Sequence, residues 1–499
     1  AMGVFNPSIN TTSGKYRPDV DGLRAIAVLP VLFFHAGFAG FQGGFVGVDI
    51  FFVISGFLIT SLILPEAHEG RFSIITFYER RIRRIFPALF AVMLFTIAVG
   101  YCLMWPKAFR EFGQSVLAAT GFASNFLFSM QLGYFDSPAE TRPLLHTWSL
   151  AVEEQFYIFF PIYLIIIVRF FPRALKWITI VAAIISLGAS IVLVAVKPTA
   201  AFYLAPTRAW ELLLGALLAM GVFPEVKSGR LRTMLCLTGL IMIAMAIHGY
   251  SGTTPFPGLA ALPPCVGTAL VIYGGGGNPV SRYLSAPWLV FCGLISYSLY
   301  LWHWPFIVFA EIWLFRDLNN LEAAIVLAAS FMLAVLSWRF IELPFRSNRQ
   351  LFTRRRIFAL AGAAMLATTV IGLSLHLTDG LPSRMPVVAQ KLADESRDCS
   401  RFEDSCNYED PALVRPDNLC RLGAVNSSRP DFVLWGDSHA KILAGAISRA
   451  AIQSGRSGFQ ITSAGCPPVV GVGRTDVRYG YCPMIARAAV RVISEPDVR

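Results

Sequence analysis

Four groups of residues in this chain could do chemistry. The first lies in "DGLRAIAVLPVLFFHAG", which sets Arg24 and His35 eleven positions apart in an apolar run. On a helix that separation is about 16 Å, roughly half the hydrocarbon thickness of a bilayer. An arginine at the entrance can hold an anion, and a histidine near the middle can take or give a proton near neutral pH. Ionisable groups within a span are expensive and usually face the bundle interior. His35 therefore reads as a general base, or else as a histidine hydrogen-bonded to a neighbouring helix. The next apolar run, "GGFVGVDIFFVISGFLIT", carries Asp49 and, deeper, Ser55. A carboxylate at Asp49 could orient the His35 imidazole and stabilise its charged form. The alternative is that Asp49 pairs with a nearby helix end.

The second group is "FYERRIRRIFPAL", with Arg80, Arg81, Arg83 and Arg84 within five residues. The i, i+3 pairs Arg80/Arg83 and Arg81/Arg84 share helix faces, and arginine suits bidentate phosphate binding. The same cluster would also serve as a topology anchor on anionic lipid headgroups. The third group, "PLLHTWSLAVEEQFY", holds His146, Glu153 and Glu154. Two acids near a helix N-terminus suit the helix dipole. A carboxylate facing a cavity, with Glu153 the candidate, could instead act as acid or base or bind sugar hydroxyls. In "GLISYSLYLWHWPFIVFA", Tyr297, Tyr300, Trp302 and Trp304 read as an interfacial aromatic belt, and His303 among them reads as structural. Glu342 and Arg346 follow in "WRFIELPFR".

The fourth group is in the polar tail. "RPDFVLWGDSHAKILAGAI" is a short β-rich apolar run, a Gly-Asp-Ser turn and a helical pattern. That is a strand–turn–helix signature of an α/β domain. It places Ser438 at a helix N-terminus, where backbone N–H groups can stabilise an oxyanion.

These groups must be positioned by elements suited to a membrane. The chain has 499 residues, 55% apolar and 15% charged, with a mean hydropathy of +0.58. A soluble domain is about 25% charged, so a plain cytosolic enzyme, a disordered tail and a disulfide miniprotein are excluded. Apolar stretches of spanning length occur near 23–41, 45–64, 86–104, 148–170, 177–196, 207–223, 233–250, 259–274, 288–310, 321–341 and 357–377. A weaker candidate at 111–130 contains Gln114, Ser115, Thr120, Ser124 and Asn125. With the N-terminus in the cytoplasm and 111–130 left out, the basic links fall inside. They hold Arg71 and Arg80 to Arg84; Arg173 and Lys176; Lys227, Arg230 and Arg232; Arg282; and Arg346, Arg349 and Arg354 to Arg356. Residues 105–147 then read as an outer loop with a re-entrant or surface helix. Ten spans and an eleventh at 357–377 put the tail outside. The polar start, residues 1–22, holds no signal-peptide core, so the first apolar segment reads as a retained signal anchor.

Cysteine usage agrees. Cys102, Cys236, Cys265 and Cys292 lie in or beside apolar stretches and read as packing residues. Cys399, Cys406, Cys420, Cys466 and Cys482 crowd the last quarter, which points to disulfides in an oxidising compartment. Five is an odd number, and no C-x-x-C pair supports a zinc site.

Taken together, these stretches resemble the membrane acyltransferase family 3. The matching segments are Arg24-x10-His35, "GGFVGVDIFFVISGFLIT", "FYERRIRRIFPAL", "LLHTWSLAVEEQFYIFFP", "TPFPGLAALPP", "ISYSLYLWHWP" and "WRFIELPFR", over most of residues 15–346. The tail resembles the SGNH-type hydrolase domain that some members carry after an extra span. The resemblance implies a bacterial surface-polysaccharide O-acetyltransferase of the kind that decorates the O-antigen of lipopolysaccharide. Acyl-CoA, most often acetyl-CoA, would bind from the cytoplasm as co-substrate, with no bound cofactor and no metal. The acyl group would cross the bundle to an acceptor sugar outside. The family's Arg-x10-His motif falls on Arg24 and His35, and its arginine motif falls among Arg80, Arg81, Arg83 and Arg84. In the SGNH pattern Ser438 is the nucleophile, and its N–H and that of Gly465 in "SAGCPP" are the oxyanion donors. Cys466 and Cys482 are the implied disulfide. The pattern's oxyanion Asn and late Asp-x-x-His pair are not recognisable before Arg499, and His439 beside Ser438 would point elsewhere. A C-terminal truncation within the domain is therefore expected, and it would also account for the odd cysteine.

The expected fold is a polytopic α-helical membrane bundle, ten spans plus one linking span, followed by a partial α/β SGNH-like extracytoplasmic domain. Its parts are a cytoplasmic segment at 1–22, the acyltransferase domain at 23–346 and the linker with the eleventh span at 347–377. A periplasmic linker at 378–425 and the partial SGNH-like domain at 426–499 follow. The expected location is the bacterial inner (plasma) membrane. The expected partners are acyl-CoA, a surface polysaccharide and the lipid bilayer, with no nucleic acid. Peptidoglycan and exopolysaccharide are alternative acceptors. A rival of another class is a transporter of an acyl carrier or lipid-linked sugar without membrane chemistry. A third reading is an esterase for which the bundle is only an anchor.

Overall fold

A helix stands at each of the eleven long apolar stretches. The computed structural model describes residues 16–131, 141–390, 406–424, 430–471 and 480–495. Cys399 lies outside the described residues. The chain divides into two compact units, Ala1–Leu381 and Pro382–Arg499.

The first unit is all helical. It runs α1 Pro18–His35, α2 Gly47–His68, α3 Ile74–Leu103, α4 Pro106–Thr120, α5 Ser124–Met130, α6 Thr147–Phe170, α7 Leu175–Val196 and α8 Pro198–Tyr203. It continues through α9 Ala205–Ala219, α10 Gly229–Gly249, α11 Leu262–Gly274, α12 Pro279–Leu284, α13 Pro287–Leu314, α14 Asn320–Ser337, α15 Leu343–Ser347 and α16 Arg354–Leu377. Starts follow local chemistry. Pro18 opens α1, where its missing N–H costs nothing. Ser73 caps α3 by accepting from the Thr76 N–H. Asn319 and Glu322 form a capping box on α14.

Among the described residues, seven helical segments are long and apolar enough to cross a membrane. They correspond to α2, α3, α6, α7, α10, α14 with α15, and α16. The other four expected spans are α1, α9, α11 and α13. α9 and α11 are short, at 15 and 13 residues. α1 and α13 carry the ionisable and aromatic residues of the site, which lowers their hydropathy. Peripheral helices show the opposite pattern. Trp177, Val181, Ile184, Ile185 and Val192 of α7 are all more than half exposed, an apolar surface suited to lipid rather than water.

Two close packings set the site. α2 and α9 meet through Gly56 and Gly215. A Cβ at Gly56 would strike the Leu212 carbonyl, and one at Gly215 the Val53 carbonyl. Small residues let helix backbones approach in a membrane. The region expected as an outer loop with a re-entrant or surface helix, residues 105–147, holds α4 and α5. Phe112 and Val116 of α4 are buried, and Thr120 Oγ1 donates to Thr368 Oγ1 of α16 at 2.9 Å. A π-helical turn, Trp338–Glu342, joins α14 to α15. π-turns inside helices often mark functional sites.

The second unit holds β1 Cys420–Gly423, β2 Phe432–Gly436, α17 Ser438–Gln453, β3 Ser457–Thr462 and α18 Cys482–Ile493. The sheet order is β1-β3-β2. β2 and β3 are parallel and joined through α17, and β1 is antiparallel to β3. The expected strand–turn–helix at Ser438 is present. Tyr408, Phe459, Ile461, Ile485 and Val492 form its core. Disulfides join Cys406 to Cys420 and Cys466 to Cys482. The second is the pair the resemblance implied.

Candidate active site

The arginine run belongs to the first turns of α3, so its residues point to different sides. Arg83 is buried and fully engaged. It donates to Glu79 Oε1 at 2.9 and 3.1 Å and to the carbonyls of Phe345 at 3.1 Å and Phe352 at 2.5 Å. Arg80 pairs with Glu66 at 3.2 Å. Arg81 and Arg84 differ from both. Among the described residues no carboxylate lies within ion-pair distance of either, and both line two cavities of the bundle. The Arg81 guanidinium stacks 5.8 Å from the Phe77 ring and 5.5 Å from the Tyr157 ring, a cation–π setting.

The wider cavity has a volume of about 1020 Å³ and is lined by Arg24, Arg81, Arg84, Glu342 and Arg346. Arg24 also donates to Asp21 Oδ1 at 3.1 Å. A smaller chamber of about 90 Å³ shares Arg24, Arg81 and Arg84 with it. The chamber is further lined by Ser55, Ser149, Glu153, Ser296 and Tyr300. Glu153 accepts from Ser55 Oγ at 2.6 Å. Glu153 is the seventh residue of α6, beyond the first turn where a helix dipole acts. Of the two readings of this acid, the geometry fits the cavity-facing one. Glu154 is buried beside it, and its Oε1 has no partner among the described residues.

The expected His35–Asp49 contact does not form. Asp49 is fully buried and accepts from Arg208 Nη2 at 2.9 Å. Arg208 also faces Glu211, with Nε 3.2 Å from Oε1. Its guanidinium lies 5.4 to 5.8 Å from the rings of Phe52, Trp148, Phe202 and Phe256. The close α2–α9 approach delivers Asp49 to Arg208, and that pairing uses up its charge. The sequence signal was present in "PTRAWELLLG", an i, i+3 Arg/Glu pair inside an apolar helix. Among the described residues, Asp49, Glu211 and Cys265 are also a grouping with metal-ligand spacing. Arg208 already holds a guanidinium against both acids, so a cation would have to displace it.

His35, the last residue of α1, meets α13 instead. Its Nδ1 is 3.0 Å from His303 Nε2. The two rings stack at 5.2 Å, and Trp304 presents its edge to His35 at 4.6 Å. The His303 ring is 5.4 Å from Tyr300 and 5.8 Å from His146. Tyr300 lines the small chamber and shares a 2.7 Å hydrogen bond with Ser149. Polar side chains thus continue from the arginine-lined cavity to His35. His303, which the sequence reading took as structural, is the link.

In the second unit, Ser438 is the first residue of α17, where N–H groups lack helical acceptors. Asp437 caps the helix, its side chain accepting from the His439 N–H at 2.9 Å. His439 is exposed and its Nδ1 lies 3.2 Å from Asp437 Oδ1. Among the described residues no side chain hydrogen-bonds Ser438 Oγ. Because β2 and β3 run parallel, the Ser438 turn and the loop carrying Gly465 leave the same end of the sheet. The Ser463 N–H donates to the Gly436 carbonyl at 3.1 Å and ties the two. Gly465 has φ +78°, a left-handed conformation that favours glycine.

A family described as "Acyltransferase domain" matches residues 17–339. One described as "SGNH domain (fused to AT3 domains)" matches residues 405–498. The chain is 34% identical over 354 residues to Peptidoglycan O-acetyltransferase OatA of Listeria monocytogenes, covering 67% of this chain and 57% of that protein. It is 33% identical over 362 residues to O-acetyltransferase OatA of Staphylococcus aureus, covering 67% and 58%. The match therefore spans little more than half the length of these relatives. No solved structure matches. With an acyltransferase match over most of the helical unit and an SGNH match over the α/β unit, the chain belongs to the membrane acyltransferases in which an acyltransferase-3 domain is fused to an SGNH domain.

Proposed function

We propose that the chain transfers an acyl group, acetyl in the first instance, from cytoplasmic acyl-CoA to a hydroxyl of a surface polysaccharide. The observation that carries this reading is the arginine-lined cavity, in which Arg81 and Arg84 have no carboxylate partner among the described residues and which shares Arg24, Arg81 and Arg84 with the smaller chamber. Arg24, Arg81 and Arg84 hold the CoA phosphates, since arginine forks match phosphate oxygens. Arg80 and Arg83 brace α3. Glu153 and Ser55 line the path of the acyl arm. His35 is the general base or transient acyl acceptor. Ser438 takes the acyl group as an ester and passes it to the sugar, with the N–H groups of Ser438 and Gly465 stabilising the oxyanion.

In this reading the bundle lies in the bacterial inner membrane with its N-terminus in the cytoplasm. Ten spans and an eleventh put the SGNH domain outside, and its two disulfides fit an oxidising compartment. The acceptor is the O-antigen of lipopolysaccharide. A second acceptor, peptidoglycan, is favoured by the name of the Listeria relative. The test is isotope-labelled acetyl-CoA supplied to the cytoplasmic face of vesicles holding the protein and either glycan, with label read on the sugar. Label on O-antigen alone supports the first acceptor, and label on peptidoglycan alone replaces it with the second. Transport of the intact carrier without label on any sugar overturns the reading.

A further inference from the structure

The contact between His35 and His303 fixes a tautomer. His303 Nδ1 lies 3.2 Å from the Leu299 carbonyl, one turn back on α13. A carbonyl only accepts, so Nδ1 of His303 carries the hydrogen. A neutral imidazole has one ring N–H, so His303 Nε2 presents a lone pair. His35 Nδ1 is 3.0 Å from that lone pair and must be the donor. The hydrogen on Nδ1 leaves Nε2 of His35 as the basic nitrogen.

We propose that His303 is a positioning residue for the acyl transfer, holding His35 in the Nδ1–H tautomer with Nε2 free to take the proton. This rests on the reading of His35 as the base. The His303 ring is fully buried, and its Nδ1 anchor is backbone of its own helix, so its orientation is built into α13. The stacked ring at 5.2 Å and the Trp304 edge at 4.6 Å prevent His35 from swinging to another partner. When His35 takes a proton at Nε2, its Nδ1–H still has an acceptor in His303, so the cation is not left without a hydrogen bond. In many hydrolases a carboxylate does this work. Here Asp49 is committed to Arg208, and a second imidazole stands in its place. A histidine needed only for packing would serve equally well with its Nε2 aimed anywhere.

The test uses the full chain in lipid with His303→Gln and His303→Met. The two side chains match in length, and only Gln offers an amide oxygen where Nε2 stood. CoA release from acetyl-CoA gives kcat and KM. The ¹⁵N spectrum of labelled histidine gives the tautomer, with His35 assigned among the seven histidines by its loss in His35→Ala. The expected result is that His303→Met lowers kcat by about 100-fold, the lower range for a lost acid–base contribution, with KM unchanged. His303→Gln recovers at least about tenfold of that loss. The wild-type spectrum shows His35 protonated at Nδ1, and His303→Met moves the proton to Nε2 or mixes the two forms. Equal kcat in the Gln and Met variants, or an unchanged His35 tautomer in His303→Met, overturns the proposal. If His35→Ala keeps full activity, the base assignment itself fails. The spectrum then still decides whether His303 sets the tautomer.

Discussion

Asp49→Asn and Arg208→Met probe the buried charge cluster from its two sides. Formally it holds two carboxylates and one guanidinium, and Asp49, Glu211 and Arg208 are all fully buried. At the 2.9 Å Asp49–Arg208 distance and an effective dielectric of about 20, the gross attraction is about 6 kcal/mol. Much of that offsets the cost of removing the charges from water. Removing the acid and removing the base are therefore unequal. Asparagine at position 49 still offers Arg208 an oxygen, and Glu211 still supplies a charge, so the expected loss is about 1 kcal/mol. Methionine at 208 leaves two carboxylates side by side without a counter-charge, and the expected loss is about 3–5 kcal/mol. The assay is thermal unfolding of the purified chain in detergent micelles, beside CoA release in lipid. Asp49→Asn should unfold close to wild type and release CoA within about threefold of it, under ~1 kcal/mol of barrier. If Asp49→Asn unfolds as early as Arg208→Met, the cluster's charge count is wrong. If it folds normally but loses CoA release, Asp49 serves His35 after all and the geometric correction fails.

Other outcomes follow from the same contacts. Arg81→Ala and Arg84→Ala should each raise KM for acetyl-CoA about 10- to 100-fold, the value of a lost charged hydrogen bond of ~1.5–3 kcal/mol, without lowering the unfolding temperature. Arg83→Ala should do the reverse, because its guanidinium holds Glu79 and two backbone carbonyls; titrating acetyl-CoA against unfolding separates the two patterns. Removing the Cys466–Cys482 bond, which closes a separation of 16 residues, should destabilise the SGNH unit by about 3 kcal/mol, seen as earlier proteolysis of that unit in Cys482→Ser. Ser438→Ala should stop label reaching glycan while the helical unit still binds acetyl-CoA; full glycan labelling in that variant would show transfer straight from the bundle to the sugar.

Much of this was legible in the chain because it is local. Apolar runs of spanning length became helices, since the membrane's demand for internal hydrogen bonding leaves a long apolar run few other choices. The Ser438 turn followed from a short strand, Gly-Asp-Ser and a helical period. Two things were not legible. The partner of Asp49 is Arg208, 159 positions away, and the partner of His35 is His303, 268 positions away. Such pairings depend on which face each helix turns to its neighbour, and that depends on packing such as Gly56 on Leu212, not on spacing within a segment. The arginine run was half legible. The i, i+3 rule split it into Arg80/Arg83 and Arg81/Arg84, but only the positions of Glu66 and Glu79 showed which pair is already neutralised.

The central claim is that the helical unit itself performs chemistry on an acyl-CoA through His35. The most direct test is acetyl-CoA turnover by the purified chain in lipid, with wild type, His35→Ala and a candidate glycan present. CoA release that disappears in His35→Ala, with acetyl-CoA still bound, is the predicted result. Release at the same rate in both forms would contradict it.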